Sequence, residues 1–166
     1  MSFWWLLHAC LPLLFAGVVF GLGRLFPVQQ SMKQKPSYQP PGWVFGVAWF
    51  YITFTLGALC SWSLQQTRTG WPLLLPLTLL LLWCAWIVNE SFKQKSAWGG
   101  FKALSTGLLI ASGVLLTVYM VETYTVLGSF TYFLIPAVVW LFVATSLNGY
   151  LNNENGLATK QKMERI

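Results

Sequence analysis

Few groups in this chain could do acid–base or metal chemistry. There is one histidine, His8; three cysteines, Cys10, Cys60 and Cys84; and four carboxylates, all of them glutamate. A hydrolytic triad needs a nucleophile, a base and an orienting acid, and a metal site needs clustered ligands at a suitable spacing. Neither pattern is present, so no catalytic residue and no metal ligand is assigned. The cysteines lie in apolar runs and, being odd in number, cannot all pair; they read as small packing residues. His8 reads as a hydrogen-bonded ring and Glu122 as a solvated carboxylate. Glu90 stands three positions before Lys93, a spacing that permits an interfacial ion pair. Asn148 sits within an apolar run, where an amide bonds to a neighbouring helix.

What the chain has in quantity is indole: ten tryptophans among 166 residues. What those rings do depends on the elements that carry them. The composition is 56% hydrophobic and only 8% charged, which argues for a hydrocarbon solvent rather than water. A bilayer core about 30 Å thick needs roughly 20 apolar residues per helix. Five such runs occur, at 3–26, 43–64, 71–88, 101–121 and 127–151. They are continuously apolar, unlike the short alternating segments of a barrel. The fold class expected is therefore all-α: an integral membrane bundle of five transmembrane helices, at about 3–26, 43–64, 71–92, 98–122 and 127–151. These make one domain over 1–151, followed by a polar tail over 152–166. The first run lacks the basic start of a secretory signal and reads as retained.

Charge placement gives an orientation. Lys33, Lys35, Lys93, Lys95, Lys160, Lys162 and Arg165 share one side with Arg24 and Lys102, whereas Arg68 stands on the other. Positive residues stay cytoplasmic, so the N-terminus is expected outside and the C-terminus in the cytoplasm. The net charge of +6 reads as this topology signal and as attraction to anionic lipid, not as a nucleic-acid surface. Gly17 and Gly21, and Gly42 and Gly46, have the GxxxG spacing that permits close helix approach.

Depth then sorts the tryptophans. Trp4, Trp5, Trp62 and Trp71 fall at the outer interface, where amphipathic rings accumulate. Trp43 and Trp98 fall near the inner one. Helical rise puts Trp49 about 9 Å deeper than Trp43, and Trp86 about 10 Å from Lys93. At that depth an indole N–H has no water and needs a partner in the protein or in a ligand. Trp49, Trp83, Trp86 and Trp140 are thus candidates to line one cavity for a flat apolar guest; the alternative is that they only fill the core.

Two stretches carry a resemblance. KPSYQPPGWVFGVAWFYITFTLG is similar to a signature of the TspO/MBR family, the tryptophan-rich sensory and mitochondrial translocator proteins, at Lys35, Pro36, Pro40, Pro41, Trp43, Phe45, Trp49 and Gly57. LIPAVVWLFVATSLNGYL resembles a second family segment at Pro136, Trp140, Ala144, Thr145, Leu147 and Asn148. The resemblance implies a five-helix bundle, often a homodimer, whose first loop closes over a cavity for porphyrins, sterols or synthetic ligands. On that basis the ligand-binding residues expected are Trp43, Phe45, Trp49, Trp86, Trp98, Trp140, Ala144 and Leu147, to which depth alone adds Trp83. The lid would be the loop 27–42, with Lys35, Pro36, Tyr38, Pro40 and Pro41. The chain departs from the family pattern at Ser31, Met32, Val47, Trp83, Glu90, Ser91 and Lys102. The sterol-recognition pattern fails, because no Lys or Arg follows Leu147 and Tyr150 within five residues.

The function expected is an integral membrane binding protein for porphyrin- or haem-like tetrapyrroles or similar lipophiles, acting in their transport, sequestration or sensing. It would have the lipid bilayer as a partner, no nucleic acid and no required cofactor. The other readings are a photo-oxidative catalyst of porphyrin breakdown, for which the sequence offers no acid–base constellation, and a sterol or lipid translocator or structural subunit.

Overall fold

A computed structural model describes the backbone of residues 3–26, 36–93 and 100–163, and the side chains of 3–26, 36–92 and 102–151. Lys35 and Trp98 lie outside the described residues. The elements in chain order are α1 (Phe3–Leu25), α2 (Gly42–Thr67), a 3₁₀ turn (Trp71–Leu73), α3 (Leu74–Lys93), α4 (Gly100–Leu127), a longer 3₁₀ segment (Gly128–Leu134) and α5 (Ile135–Met163). No strand occurs among the described residues.

Prolines and two left-handed residues set the boundaries. Pro36 begins a turn closed by the Gln39 amide on the Pro36 carbonyl at 3.0 Å. Pro41, extended at φ −55° and ψ 149°, precedes α2, and its carbonyl accepts from Val44 at 3.0 Å. A fixed φ and a missing N–H suit proline to the entry of a helix, where those donors lack partners anyway. α2 stops at Arg68, whose φ of 55° is left-handed and whose N–H bonds back to the Leu64 carbonyl. α4 stops at Gly128, with φ 58°, a conformation that glycine adopts without the Cβ clash.

The helices are apolar nearly all round, yet each buries only one stripe. In α1 the buried residues are Pro12, Phe15, Ala16 and Val19, spaced as one helical face. Leu6, Leu13 and Leu14 on the same helix are exposed, as are Leu81 on α3 and Phe142 on α5. Water tolerates so much continuous apolar surface poorly; lipid does not penalise it. α1 packs chiefly on α2, α3 on α4, and α4 on α5. The core between them is built from Leu56, Leu79, Trp83, Leu109, Leu116 and Leu141, each 1% exposed or less.

Four apolar helical stretches are long enough to cross a membrane: Phe3–Leu25, Gly42–Thr67, Trp71–Phe92 and Lys102–Leu151. The last is 50 residues long, because the 3₁₀ segment continues from α4 into α5 without a break in helical structure. The boundary expected at 151 is also passed. α5 runs on to Met163 through a polar segment that holds no proline and whose Ala158, Lys160, Gln161 and Lys162 favour helix.

Glycine acts at a different place from the one its spacing indicates. A Cβ on Gly17, Gly21, Gly42 or Gly46 would meet nothing within 4 Å, whereas one on Gly57 would lie 2.6 Å from Pro12 Cα and 2.9 Å from the Leu11 oxygen. The tight α1–α2 crossing is therefore Pro12 against Gly57, and the GxxxG pairs make no such contact among the described residues.

Candidate functional site

On the first-loop side of that crossing, the space between α1, the start of α2 and α3 opens into a cavity of about 440 Å³. α1 lines it with Val19, Phe20, Gly23 and Arg24, the loop end with Gln39, α2 with Gly42, Phe45, Gly46 and Trp49, and α3 with Trp86 and Ile87. The spacing explains the convergence: Gly42, Phe45, Gly46 and Trp49 recur every three or four residues and so share one face of α2. Three of the lining positions are glycines, and a Cβ on any of them would enter open space. The cavity exists partly because those positions carry no side chain.

The aromatic wall is ordered by ring–ring contacts. Trp49 stacks on Trp86 at 5.6 Å between centroids with 26° between planes, and meets Trp83 edge-on at 5.6 Å and 73°. Phe45 meets Trp140 edge-on at 5.1 Å and 77°. Such pairs contribute about 0.5–1.5 kcal/mol each beyond the area they bury, so the wall is stiff before any guest arrives. The Nε1 atoms of Trp83, Trp86 and Trp140 are buried without a hydrogen-bond partner among the described residues. An unmet buried donor costs about 1–3 kcal/mol. The partner in the protein that sequence reasoning requires for a deep indole is not found for these three.

The remaining expected residues take varied places. Trp83 is fully buried behind Trp49, Trp140 stands against Phe45, and Ala144 and Leu147 are buried in the core; none of the four lines the cavity. Trp43 is 71% exposed at the first turn of α2. In the loop, Pro36 is buried, Pro40 is half-buried and Pro41 is exposed. Tyr38 is exposed, with its ring 6.3 Å from that of Tyr150 on α5. Sequence reasoning does not single out the α1 wall, Gln39 or the glycines as lining; the GxxxG pair at the mouth of α2 is the one signal that points there.

Beyond the cavity, α3, α4 and α5 are joined by a buried polar cluster. The Ser105 hydroxyl donates to Glu90 Oε1 and accepts from Asn89 Nδ2 at 2.7 Å. Asn148 Nδ2 donates to Thr106 Oγ1 at 3.2 Å, bonding to the neighbouring helix. Glu90 is only 6% exposed, and the Lys93 side chain expected beside it lies outside the described residues. Burial of a carboxylate is tolerated where hydrogen bonds replace its water.

This arrangement can hold a flat ring against aromatic walls and place the exposed Arg24 guanidinium at the rim. Among the described residues no group of three His, Cys or Glu side chains is placed to hold a metal ion. Compared with known protein families, residues 4–153 match the model of the TspO/MBR family. The chain belongs to the TspO/MBR family. No curated protein matches the chain. TspO/MBR membership and the four apolar helical stretches together make the protein a multi-pass integral membrane protein in contact with the bilayer.

Proposed function

We propose that this TspO/MBR protein binds a porphyrin- or haem-like tetrapyrrole, or a lipophile of similar flat shape, in the cavity beside Trp49 and Trp86, and serves in its transport, sequestration or sensing. The observation that carries the reading is a cavity of about 440 Å³ walled by Phe45 and the indoles of Trp49 and Trp86, with Arg24 among its lining. Cavities of this size suit small organic ligands, whose apolar area supplies the affinity while a few polar groups fix orientation. The Trp49 and Trp86 rings would take the guest's apolar face, and Arg24 would face a propionate. The loop from Pro36 to Pro41, tied to α5 by the Tyr38–Tyr150 contact, would act as the lid.

The same reading takes the 50-residue run Lys102–Leu151 as two passes, since a bilayer core needs only about 20 residues. Gly128 and the 3₁₀ segment would form the turn between them. That gives five passes, with the N-terminus outside and the C-terminus cytoplasmic, and the homodimer common in the family remains part of the proposal. Titration of the protein in nanodiscs with protoporphyrin IX, read by tryptophan fluorescence, tests the site. Saturable quenching is expected; its absence in protein with intact helical circular dichroism refutes the binding role.

A further inference from the structure

The Pro12–Gly57 crossing divides the α1–α2 seam, and a second cavity lies on its far side, at the membrane face opposite the first loop. It measures about 500 Å³ and is lined by Trp4, Trp5 and His8 of α1 and by Ala58, Ser61, Trp62 and Gln65 of α2. With 1.5 Å of rise per residue, Ser61 and Gln65 lie about 6 and 12 Å beyond Gly57, while Trp49 lies about 12 Å the other way. The backbone contact between them leaves no room for a Cβ, so the two cavities are separate along this seam.

The second cavity has apolar walls and a polar stripe. Trp62 is braced by Phe130 at 4.5 Å between centroids. Ala58, Ser61 and Gln65 follow one another at helical spacing on one face of α2, and Arg68 is the left-handed residue that caps its end. His8 Nε2 lies 2.6 Å from Gln65 Oε1, so the imidazole donates there, and His8 Nδ1 lies 2.8 Å from Ser61 Oγ. The Ser61 hydroxyl also reaches the Ala58 carbonyl at 2.7 Å. Arg68 donates through Nε to the Gln65 carbonyl at 3.1 Å, and its guanidinium sits 5.2 Å from the centre of the Trp4 ring.

These bonds occupy the acceptors and leave donors over. Gln65 Oε1 is taken by His8, and the single Ser61 proton is shared between His8 and the Ala58 carbonyl. The Gln65 amide nitrogen and the two terminal Arg68 nitrogens enter none of the hydrogen bonds among the described residues, and all three can only donate. Arg68 is not itself a lining residue, but its guanidinium over Trp4 sets a positive charge beside the cavity, and with the Gln65 amide above three indoles this favours an acceptor-rich, anionic head with an apolar tail.

We propose that this cavity is a second ligand site, independent of the first, that holds one anionic membrane amphipath with its phosphate or carboxylate head on Arg68 and Gln65 and its chain between Trp4, Trp5 and Trp62. Native mass spectrometry of the full chain released from detergent tests it, with phosphatidylglycerol, dodecanoate, phosphatidylcholine and inorganic phosphate offered in turn. One phosphatidylglycerol or dodecanoate per chain is expected to be retained, and whichever is held more tightly identifies the head. Phosphatidylcholine should be retained about tenfold less, and inorganic phosphate not at all, because charge and apolar walls act together. Arg68→Gln should reduce retention about tenfold, and Ala58→Phe should abolish it by filling the cavity. Gly46→Leu, which fills only the first-loop cavity, should leave it unchanged. Both site variants are checked by circular dichroism, and Arg68→Gln carries the test alone if Ala58→Phe does not fold. Equal retention of phosphatidylcholine, or retention that neither variant changes, overturns the proposal.

Discussion

Gly57→Ala is the sharpest probe of how α1 is held. The added methyl would stand 2.6 Å from Pro12 Cα, 2.9 Å from Pro12 N and 2.9 Å from the Leu11 oxygen. Carbon pairs are most favourable at about 3.5–4.0 Å, so α1 must retreat by roughly 1 Å. All three obstructing atoms are backbone, and no rotamer change relieves them. The retreat loosens the stripe of Pro12, Phe15, Ala16 and Val19 against α2. Overpacking of this kind costs about 1–3 kcal/mol, and the clash with rigid atoms places this case toward the upper end. Alanine's helix preference over glycine returns at most about 1 kcal/mol. The net loss of about 1–2 kcal/mol corresponds to a fall in melting temperature of roughly 2–8 °C for a chain of this length. Thermal melts of the detergent-solubilised protein, followed by circular dichroism, measure it. Gly17→Ala is the internal control: its Cβ meets nothing within 4 Å, so the same substitution there should leave stability unchanged or raise it. A Gly57→Ala protein that melts at or above the parent temperature would refute the crossing as described.

Gly46→Leu should fold normally, since its side chain enters open space, yet eliminate protoporphyrin quenching by occupying the first-loop cavity; unaltered quenching would move the site elsewhere. Trp140→Phe removes a buried indole N–H that has no partner among the described residues while keeping a ring beside Phe45. If that donor serves a guest, affinity should fall about tenfold with a melting temperature within a few degrees of the parent; a large stability loss with unchanged binding would assign Trp140 to packing alone. Ser105→Ala should cost about 1–3 kcal/mol in a thermal melt, because both Glu90 and Asn89 lose a buried partner. Ser112→Ala should cost less, since the bond it removes runs only to the Leu108 carbonyl one turn back.

The helices were legible because their signal is local. Apolar runs and prolines mark the α2 entry at Pro41 and Gly42, but not the junction of α4 with α5, which continues as one helical stretch, nor the end of α5, which runs past 151 to Met163. Depth along a helix is likewise a matter of counting, so Trp49 and Trp86 could be assigned to one level before their stacking was known. What cannot be counted is azimuth and partnership. Trp43 shares a motif with Trp49 but faces outward, because it stands six residues earlier and on another side of the same turn sequence. Trp83 backs the wall instead of forming it. Glu90 reads as an interfacial partner of Lys93 when only α3 is considered; its burial depends on Ser105, fifteen residues away on α4. The crowding at Gly57 is set by Pro12 of another helix, and nothing in the spacing around Gly57 announces it. The second cavity was hidden for the same reason: Trp4, Trp5 and Trp62 satisfy the account of an interfacial belt, and only the placement of His8 against Ser61 and Gln65 joins them into an enclosure.

The absence of side chains at Gly23, Gly42 and Gly46 gives the first-loop cavity an adjustable capacity. A Cβ added at any of the three would meet nothing within 4 Å, so the room for the proposed guest could be trimmed there while the helical frame keeps its shape. On the proposed binding role, the choice of guest and the stability of the fold would then rest on different residues.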